Sequence, residues 1–537
     1  MITIRIASCV VITAALMAFV LTACKNETAI PSKKEVVQDD SPVVFPLKEP
    51  ITLTYWSPLP ANLASTVSNY SQTEYYKELE KRTNIHIKFI HPPVGQEKEA
   101  FNLMLAGRDL PDIIEVDFDK YPGGLVKAKE EGFIIPLNDK LEAYSPNLAK
   151  MMENPSISKE VKTPDGDILF YPYIRNDVQS LVSTGPIVRK DWIDELGLKE
   201  PATLEEWYGM LKQFKNKKSA KAPLTLMLSN LKNGSPFLGA FGIGYGYYAD
   251  KEKIKFGPSE PAFKEFLALF RKWFQEGLID SEFAINNTKT FESKILNGES
   301  GAFIAANGGI ARYLTQGKSK DAKYNAVGVQ YPSLNANEPV RFMAKAKTVG
   351  TGNVITITSA NKHVKETMAL ADYGYSKEGS MFYSYGMEGI TYKLDNGKPT
   401  FTDLIVNNPR GLSITNSLLL YARGNNGGSY ALDSNFFEQY WALPQQQSSN
   451  QAWSRWLDET QTNDPEGKGS LTAEESNRIA SKETEINTYV DEMFIKFVMG
   501  LEPLDNYDKF AAQMKRMGLD EVLKIKQMQH ERYLNTK

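Results

Sequence analysis

Ile51-Thr-Leu-Thr-Tyr-Trp56, Ile85-His-Ile-Lys-Phe-Ile90 and Pro111-Asp-Ile-Ile-Glu-Val116 are three short apolar runs separated by segments of helical spacing. The first alternates apolar with polar residues as a strand does, and the other two also read as strands. Between them, residues 71–83 set Tyr75, Tyr76 and Leu79 on one helical face, and residues 97–106 form a second helix stopped by Gly107. Strands alternating with helices imply an α/β fold: a mainly parallel sheet with helices on both faces. Ligands of such sheets sit beyond the carboxyl ends of the strands, which here are Trp56 and the stretch 115–118.

The pattern breaks at Thr163-Pro-Asp-Gly166. Strands are then expected at 168–173 and 179–188. A helix-rich region opens at Lys190, with helical spacing at 204–214, 261–274 and 290–296. A second strand, 353–358, and a helix, 363–376, return after it, so two separate stretches of sequence complete one lobe. From about Leu471 the chain is helical, with Ile486, Tyr489, Val490, Phe494, Phe497 and Val498 near the 3.6-residue period.

The N-terminus carries Arg5, an apolar run over 6–20, and then Leu21-Thr-Ala-Cys24. The run is shorter than the roughly 20 residues a spanning helix needs, and its charge lies only on the N-terminal side. Residues 1–23 therefore read as a signal peptide with a lipobox, and Cys24 as the thiol that receives diacylglycerol. Residues 24–50 are polar and Pro-bearing without apolar period, a flexible tether holding the body to the outer face of a membrane. The two cysteines, Cys9 and Cys24, leave no disulfide and no catalytic thiol, so stability must come from a large core. The balance of 62 basic against 65 acidic residues excludes an electrostatic footprint for nucleic acid. Seven Trp, 26 Tyr and 26 Phe are many for a polar chain, and some rings are expected to face water or ligand.

Four motifs in order then carry a resemblance: Leu103-Met-Leu-Ala-Gly-Arg-Asp-Leu-Pro-Asp-Ile-Ile114; Val188-Arg-Lys-Asp-Trp-Ile-Asp-Glu-Leu-Gly-Leu198 with Pro201-Ala-Thr-Leu-Glu-Glu-Trp207; Tyr385-Gly-Met-Glu-Gly389; and Thr488-Tyr-Val-Asp-Glu-Met493 through Met517-Gly-Leu519. Over most of its length the chain resembles the bacterial extracellular solute-binding proteins of ABC importers, family 1. It is most like the large LipO-type lipoproteins common in Gram-positive bacteria. The resemblance implies a two-lobed, type II periplasmic-binding-protein-like fold with discontinuous, hinge-linked lobes and a helical C-terminal region. Residues 51–185 and 355–420 would form the N-terminal lobe, and 186–354 and 421–537 the C-terminal lobe. Crossings would fall near 182–188, near 354–358 and between 421 and 441. It further implies a monomer without cofactor that captures a carbohydrate, an oligosaccharide more than a monosaccharide, and passes it to two transmembrane permease subunits.

Sugar recognition needs flat apolar faces for a pyranose and polar groups for its hydroxyls. Candidates are Trp56, which reads equally as core; Asp117 and Phe118 at a strand end; Tyr173 and Arg175 before the first crossing; and Tyr245 and Tyr247 in Gly242-Ile-Gly-Tyr-Gly-Tyr-Tyr248, alternatively an ordinary loop with stacked tyrosines. Asn307, Glu388 and Trp441 complete the set, Glu388 being equally suited to locking its own turn and Trp441 serving as stacking platform from the second lobe. Trp453 and Trp456, three apart on a helix, are expected to pack inside.

Alginate-binding relatives carry a calcium loop where this chain has Lys215-Asn-Lys-Lys-Ser-Ala-Lys-Ala222, and lysines supply no oxygen ligand. The stretch from Asp464 to Glu475 mimics EF-hand spacing, but Lys468 stands at a ligand position and Thr472-Ala-Glu-Glu475 reads as a capping box. No metal is therefore expected. The four histidines form no HExxH pattern, and no carboxylate pair is singled out, so the chain is expected not to be an enzyme. A peptide-binding or sensory lipoprotein on the same fold, or a secreted polysaccharide-degrading enzyme, are the alternatives.

Overall fold

Six strands build the first sheet, in the order Tyr430–Leu432, Tyr171–Arg175, Val349–Ile357, Ile113–Val116, Ile51–Trp56, Ile85–Ile90. The computed structural model describes residues 41–535 apart from 65, 119–122, 176, 178–180, 342–343, 346, 458–468 and 470; the expected signal peptide, the expected lipid site Cys24 and the expected tether up to residue 40 lie outside the described residues. Ile51–Trp56 pairs in parallel with Ile85–Ile90 from Ile51↔Ile85 to Trp56↔Ile90, and with Ile113–Val116 on its other side. In Ile85–Ile90, Ile85, Ile87 and Phe89 turn inward and His86, Lys88 and Ile90 outward, the alternation of an edge strand with one wet face. The helix Glu74–Thr83 starts at Thr73, whose hydroxyl accepts from the Tyr76 N–H, and buries Tyr75, Tyr76 and Leu79 as their spacing requires.

Val349–Ile357 runs antiparallel to both of its neighbours, so the expected parallel sheet is mixed. The cause is topological. The chain leaves this lobe beyond the carboxyl end of Tyr171–Arg175, re-enters at the same edge, and so runs in the opposite sense.

The second sheet has four strands in the order Ala326–Gly328, Thr184–Arg189, Ala302–Ala306, Leu224–Thr225. Its two faces feed two cores. Val188, Ala302, Ile304 and Val327 join one built with Trp207, Phe266 and Trp273, whereas Ile187, Phe303 and Ala326 join another with Tyr313, Tyr331 and Trp453. The C-terminal helix Ala473–Met499 opens with the expected capping box, Thr472 and Glu475 exchanging bonds of 3.0 and 3.2 Å. Its Phe494 stacks on Phe266 of the helix Pro261–Gln275. Among the described residues, no helix is long and apolar enough to cross a membrane.

The cores correct the expected boundaries. Ile174 lies in the first-lobe core and Val182 in the second lobe, so the first passage falls within 175–181. Val340 belongs to the second lobe and Val349 to the first, placing the second passage ahead of residue 354. Residues 421–441, assigned from sequence to the C-terminal lobe, carry Tyr430, Phe436, Phe437 and Trp441 into the first-lobe core, and the chain passes over only between Trp441 and Leu443. Periodicity reveals a strand but not its partner, and Tyr430–Leu432 pairs with Tyr171–Arg175.

Candidate binding cleft

Three chain passages are stitched to one another. The Arg175 N–H donates to the Thr348 carbonyl at 2.8 Å, and Val182 forms a bridge with Lys345, so the first two passages run side by side. The Tyr331 hydroxyl donates to the Thr184 carbonyl at 2.6 Å and accepts from the Ala344 N–H. Asn450, in the helix Pro444–Trp453 that follows the third passage, donates from Nδ2 to the Val182 carbonyl at 3.1 Å and so ties that helix to the end of the first passage. A joint of few, mutually bonded segments lets the lobes turn about it by torsion changes in those segments alone.

On the first-lobe side, the carboxyl edge of the sheet carries a linked polar system. His91 Nδ1 lies 2.7 Å from the Ser57 carbonyl, and its Nε2 accepts from the Tyr70 N–H at 3.2 Å, which fixes Nδ1 as the protonated nitrogen. Burial lowers the His91 pKa, opposed by the Ser57 carbonyl and Glu115, so the ring is neutral near pH 7. Glu115, fully buried, accepts from the Tyr55 hydroxyl at 2.7 Å and from the guanidinium of Arg423. Burial alone would lower the Arg423 pKa, but Glu115 and the oxygens of Tyr76, Tyr70 and Tyr55 outweigh it and raise it. A cavity of about 30 Å³, enough for a water or two, lies inside this lobe among Tyr55, Tyr76, Tyr383 and Arg423. It is internal to the lobe and is not the cleft.

On the second-lobe side, the Asn307 N–H donates to the Ser183 carbonyl, which sets the start of the helix Asn307–Lys320 beside the first passage. A Cβ placed on Gly308 would stand 3.8 Å from the Tyr440 hydroxyl, so the first lobe's Tyr440 meets the second lobe here. Tyr440 is half-buried and its hydroxyl pairs with Thr415 at 2.7 Å.

The residues singled out from sequence divide sharply. Trp56 packs on Phe101, and Phe118 meets the same ring edge-on; both are core. Trp441 is 5% exposed against Phe437, in the first lobe instead of the second, and is no open stacking platform. Tyr245 and Tyr247 are buried in the second-lobe core against Phe263 and Phe256. Asn307 is fully buried, bonded to Gln446. Glu388 is exposed but sits on the turn that bridges to Tyr392, and the motif around it is a lock: at Gly386 (φ 88°) an added Cβ would lie 2.6 Å from the Tyr421 carbonyl. Tyr173 is buried, its hydroxyl donating to Asn425 Oδ1 at 2.8 Å, and the Arg175 guanidinium lies 4.7 Å over its ring. Asp117 and Arg175 stay half-exposed at the sheet edge. Trp453 is buried as expected, its indole N–H donating to the Pro186 carbonyl.

Sequence reasoning passed over Tyr440 and the turn after Arg423. The signals were present: Tyr440 is the one tyrosine in a run whose Phe436, Phe437 and Trp441 fill the core, and Gly424-Asn-Asn-Gly-Gly428 is the densest Asn/Gly turn in the chain. The stretch 215–222 is tied by its lysines, Lys215 to the Glu276 carbonyl at 2.6 Å and Lys218 to Glu195 at 2.5 Å. Among the described residues no group of three His, Cys, Asp or Glu could hold a metal ion; residues 464–468 lie outside them.

Two lobes of interleaved sequence, joined at three passages beside a polar seam, define a two-lobed solute-binding protein of the type II kind. The family described as bacterial extracellular solute-binding protein matches residues 64–381, and the chain belongs to it. The fructooligosaccharide ABC transporter substrate-binding protein FusA of Streptococcus pneumoniae is 25% identical, with 98% of each chain covered. Lipoprotein LipO of Bacillus subtilis is 26% identical over 65% of this chain and 69% of its own. The alginate-binding protein AlgQ2 superposes with a TM-score of 0.71 at 25% identity, covering 90% of this chain and 99% of that one. FusA in complex with kestose superposes at 0.72 and 21% identity, covering 90% and 100%.

Proposed function

We propose that the protein is the capture component of an ABC importer, a non-enzymatic lipoprotein that holds an oligosaccharide between its lobes and delivers it to transmembrane permease subunits. The observation that carries this is the seam itself: Arg175 borders the first passage, Tyr440 lies just ahead of the third, and Asp117 follows the strand Ile113–Val116, all three half-exposed and able to offer hydroxyl partners and an aromatic ring to a sugar. The full-length likeness to FusA, named for fructooligosaccharides, supports a sugar ligand. Residues 1–23 act as signal peptide and Cys24 bears the lipid, anchoring the body outside the cell membrane through the tether. Two acyl chains are needed for stable anchoring, since a single one holds only marginally. A ligand touching both lobes favours their closure by its differential affinity for the closed state.

The test is a thermal-shift screen of residues 42–537 against fructo-, galacturono- and gluco-oligosaccharides, with peptides as controls. A ligand at 100 times its dissociation constant stabilises by about 2.7 kcal/mol. A shift with one glycan class, without hydrolysis of it, is the expected result. A shift with peptides alone overturns the carbohydrate assignment, and hydrolysis overturns the non-enzymatic one.

A further inference from the structure

The turn Gly424-Asn-Asn-Gly-Gly428 joins the helix Ile414–Tyr421 to the strand Tyr430–Leu432; the Tyr430 hydroxyl donates to its Gly424 carbonyl, and Arg423 holds its far end from below. Arg423 is buried, with NH1 donating to the Tyr76 hydroxyl at 3.0 Å, NH2 to Glu115, and NH2 and Nε to the Gly427 carbonyl at 2.9 and 3.2 Å. NH2 also lies 3.5 Å from the Asn426 carbonyl. Removing a guanidinium and a carboxylate from water costs several kcal/mol per ion, so a buried pair is poor value as a stabiliser and points to a role in fixing geometry. The geometry fixed is that of the turn. Gly428 (φ 114°) is required, because an added Cβ would come within 3.0 Å of the Arg423 NH2.

Drawing the Asn426 and Gly427 carbonyls toward Arg423 turns the N–H groups of the same planar peptide units away from it. Asn425 and Asn426 are half-exposed. Asn425 spends its Oδ1 on the Tyr173 hydroxyl, and Asn426 its Nδ2 on the Arg423 carbonyl. That leaves one amide donor, Asn425 Nδ2, and one amide acceptor, Asn426 Oδ1, without partners among the described residues. The turn lies at the carboxyl edge of the sheet: a Cβ on Gly427 would be 3.6 Å from the Asn353 carbonyl, and Asn353 precedes Val354, the partner of Val116. Tyr173 places Arg175 over its ring and Asn425 at its hydroxyl, so these two side chains share one border of the cleft.

We infer that Asn425 and Asn426 form a hydroxyl-reading subsite for the oligosaccharide, with Arg423 and Glu115 as the positioning residues that present them. A vicinal diol supplies one donor and one acceptor to such a pair, which a fixed, pre-ordered turn binds without the cost of ordering itself. The inference rests on the carbohydrate reading above.

The test compares the wild type with Asn425→Ala and Asn426→Ala by titration calorimetry, using kestose, a galacturonate trimer and cellotriose as probes. Each variant is expected to lose about 10-fold in affinity for the sugar that binds, with the melting temperature of the free protein little moved. Tyr173→Phe keeps both amides and is expected to weaken binding less. Arg423→Lys keeps the charge but not the fork, and is expected to weaken binding while the Glu115 contact persists; should it not fold, the asparagine variants still decide. Unchanged affinity in both asparagine variants overturns the subsite alone. If no oligosaccharide binds the wild type while a control peptide does, the carbohydrate reading falls and takes the subsite with it.

Discussion

Asn307 and Gln446 are joined twice: Asn307 Nδ2 donates to the Gln446 carbonyl at 2.9 Å, and Gln446 Nε2 donates to the Asn307 carbonyl at 3.1 Å. The pair clamps the start of the helix Asn307–Lys320 to the segment that enters the second lobe after the third passage. Asn307 Oδ1, also buried, meets no donor among the described residues. Asn307→Ala removes one bond and that unsatisfied acceptor together, so the loss should be about 1 kcal/mol. Asn307→Asp puts a carboxylate oxygen against the Gln446 carbonyl and should cost more. Urea unfolding of the two variants checks the order.

Trp441 separates a packing role from a ligand role. Buried on Phe437, it should lose about 3–5 kcal/mol on truncation to Ala, seen as a large fall in melting temperature. Glycan affinity measured below that temperature should hold. Lost affinity with an unmoved melt would return Trp441 to the cleft.

Arg175→Ala and Tyr440→Phe should behave in the opposite way. Both groups are half-exposed at the seam, so calorimetry should show about 10-fold weaker glycan binding, with little change in the unfolding midpoint.

Asp250 gives the protein an acid-sensitive joint. Hydrogen bonds from Arg341 and then Lys255, the latter at 2.8 Å, hold its pKa down to about 2 against an ordinary 3.8. A depressed carboxylate contributes stability that is complete above the unfolded value and is lost as pH falls through the folded one. The loss should therefore fall between about pH 4 and about pH 2. Denaturation midpoints across that window should drop more steeply for the wild type than for Asp250→Asn.

Most of the secondary structure was legible because period and breakers coincide. The helix expected over 97–106 is Glu97–Gly107, and that over 204–214 runs from its Thr203 cap as Leu204–Lys218. Lobe membership was less legible. Tyr430–Leu432 is too short to declare a partner, and Val349–Ile357 begins four residues before the strand expected at 353–358. The site was hardest, since burial of aromatics is collective: Trp56, Phe118 and Trp441 each have an aromatic neighbour brought from elsewhere in the fold or the preceding turn, and that neighbour decides whether the ring is free. Half-exposed Asn425 and Arg175 are both held against Tyr173, a contact spanning 252 residues for the asparagine, and Arg175 also donates to the Lys347 carbonyl.

The antiparallel strand Val349–Ile357 also governs how the protein is made. Until it arrives, Ile113–Val116 and Tyr171–Arg175 each present a bare row of N–H and C=O groups to one another across an empty lane. Open lanes of this kind invite pairing with another chain. More than 170 residues, most of them of the second lobe, are synthesised between the two banks and the strand that fills the gap. A nascent chain in this interval cannot complete its first lobe, and any molecule stopped short of that strand should be prone to aggregate.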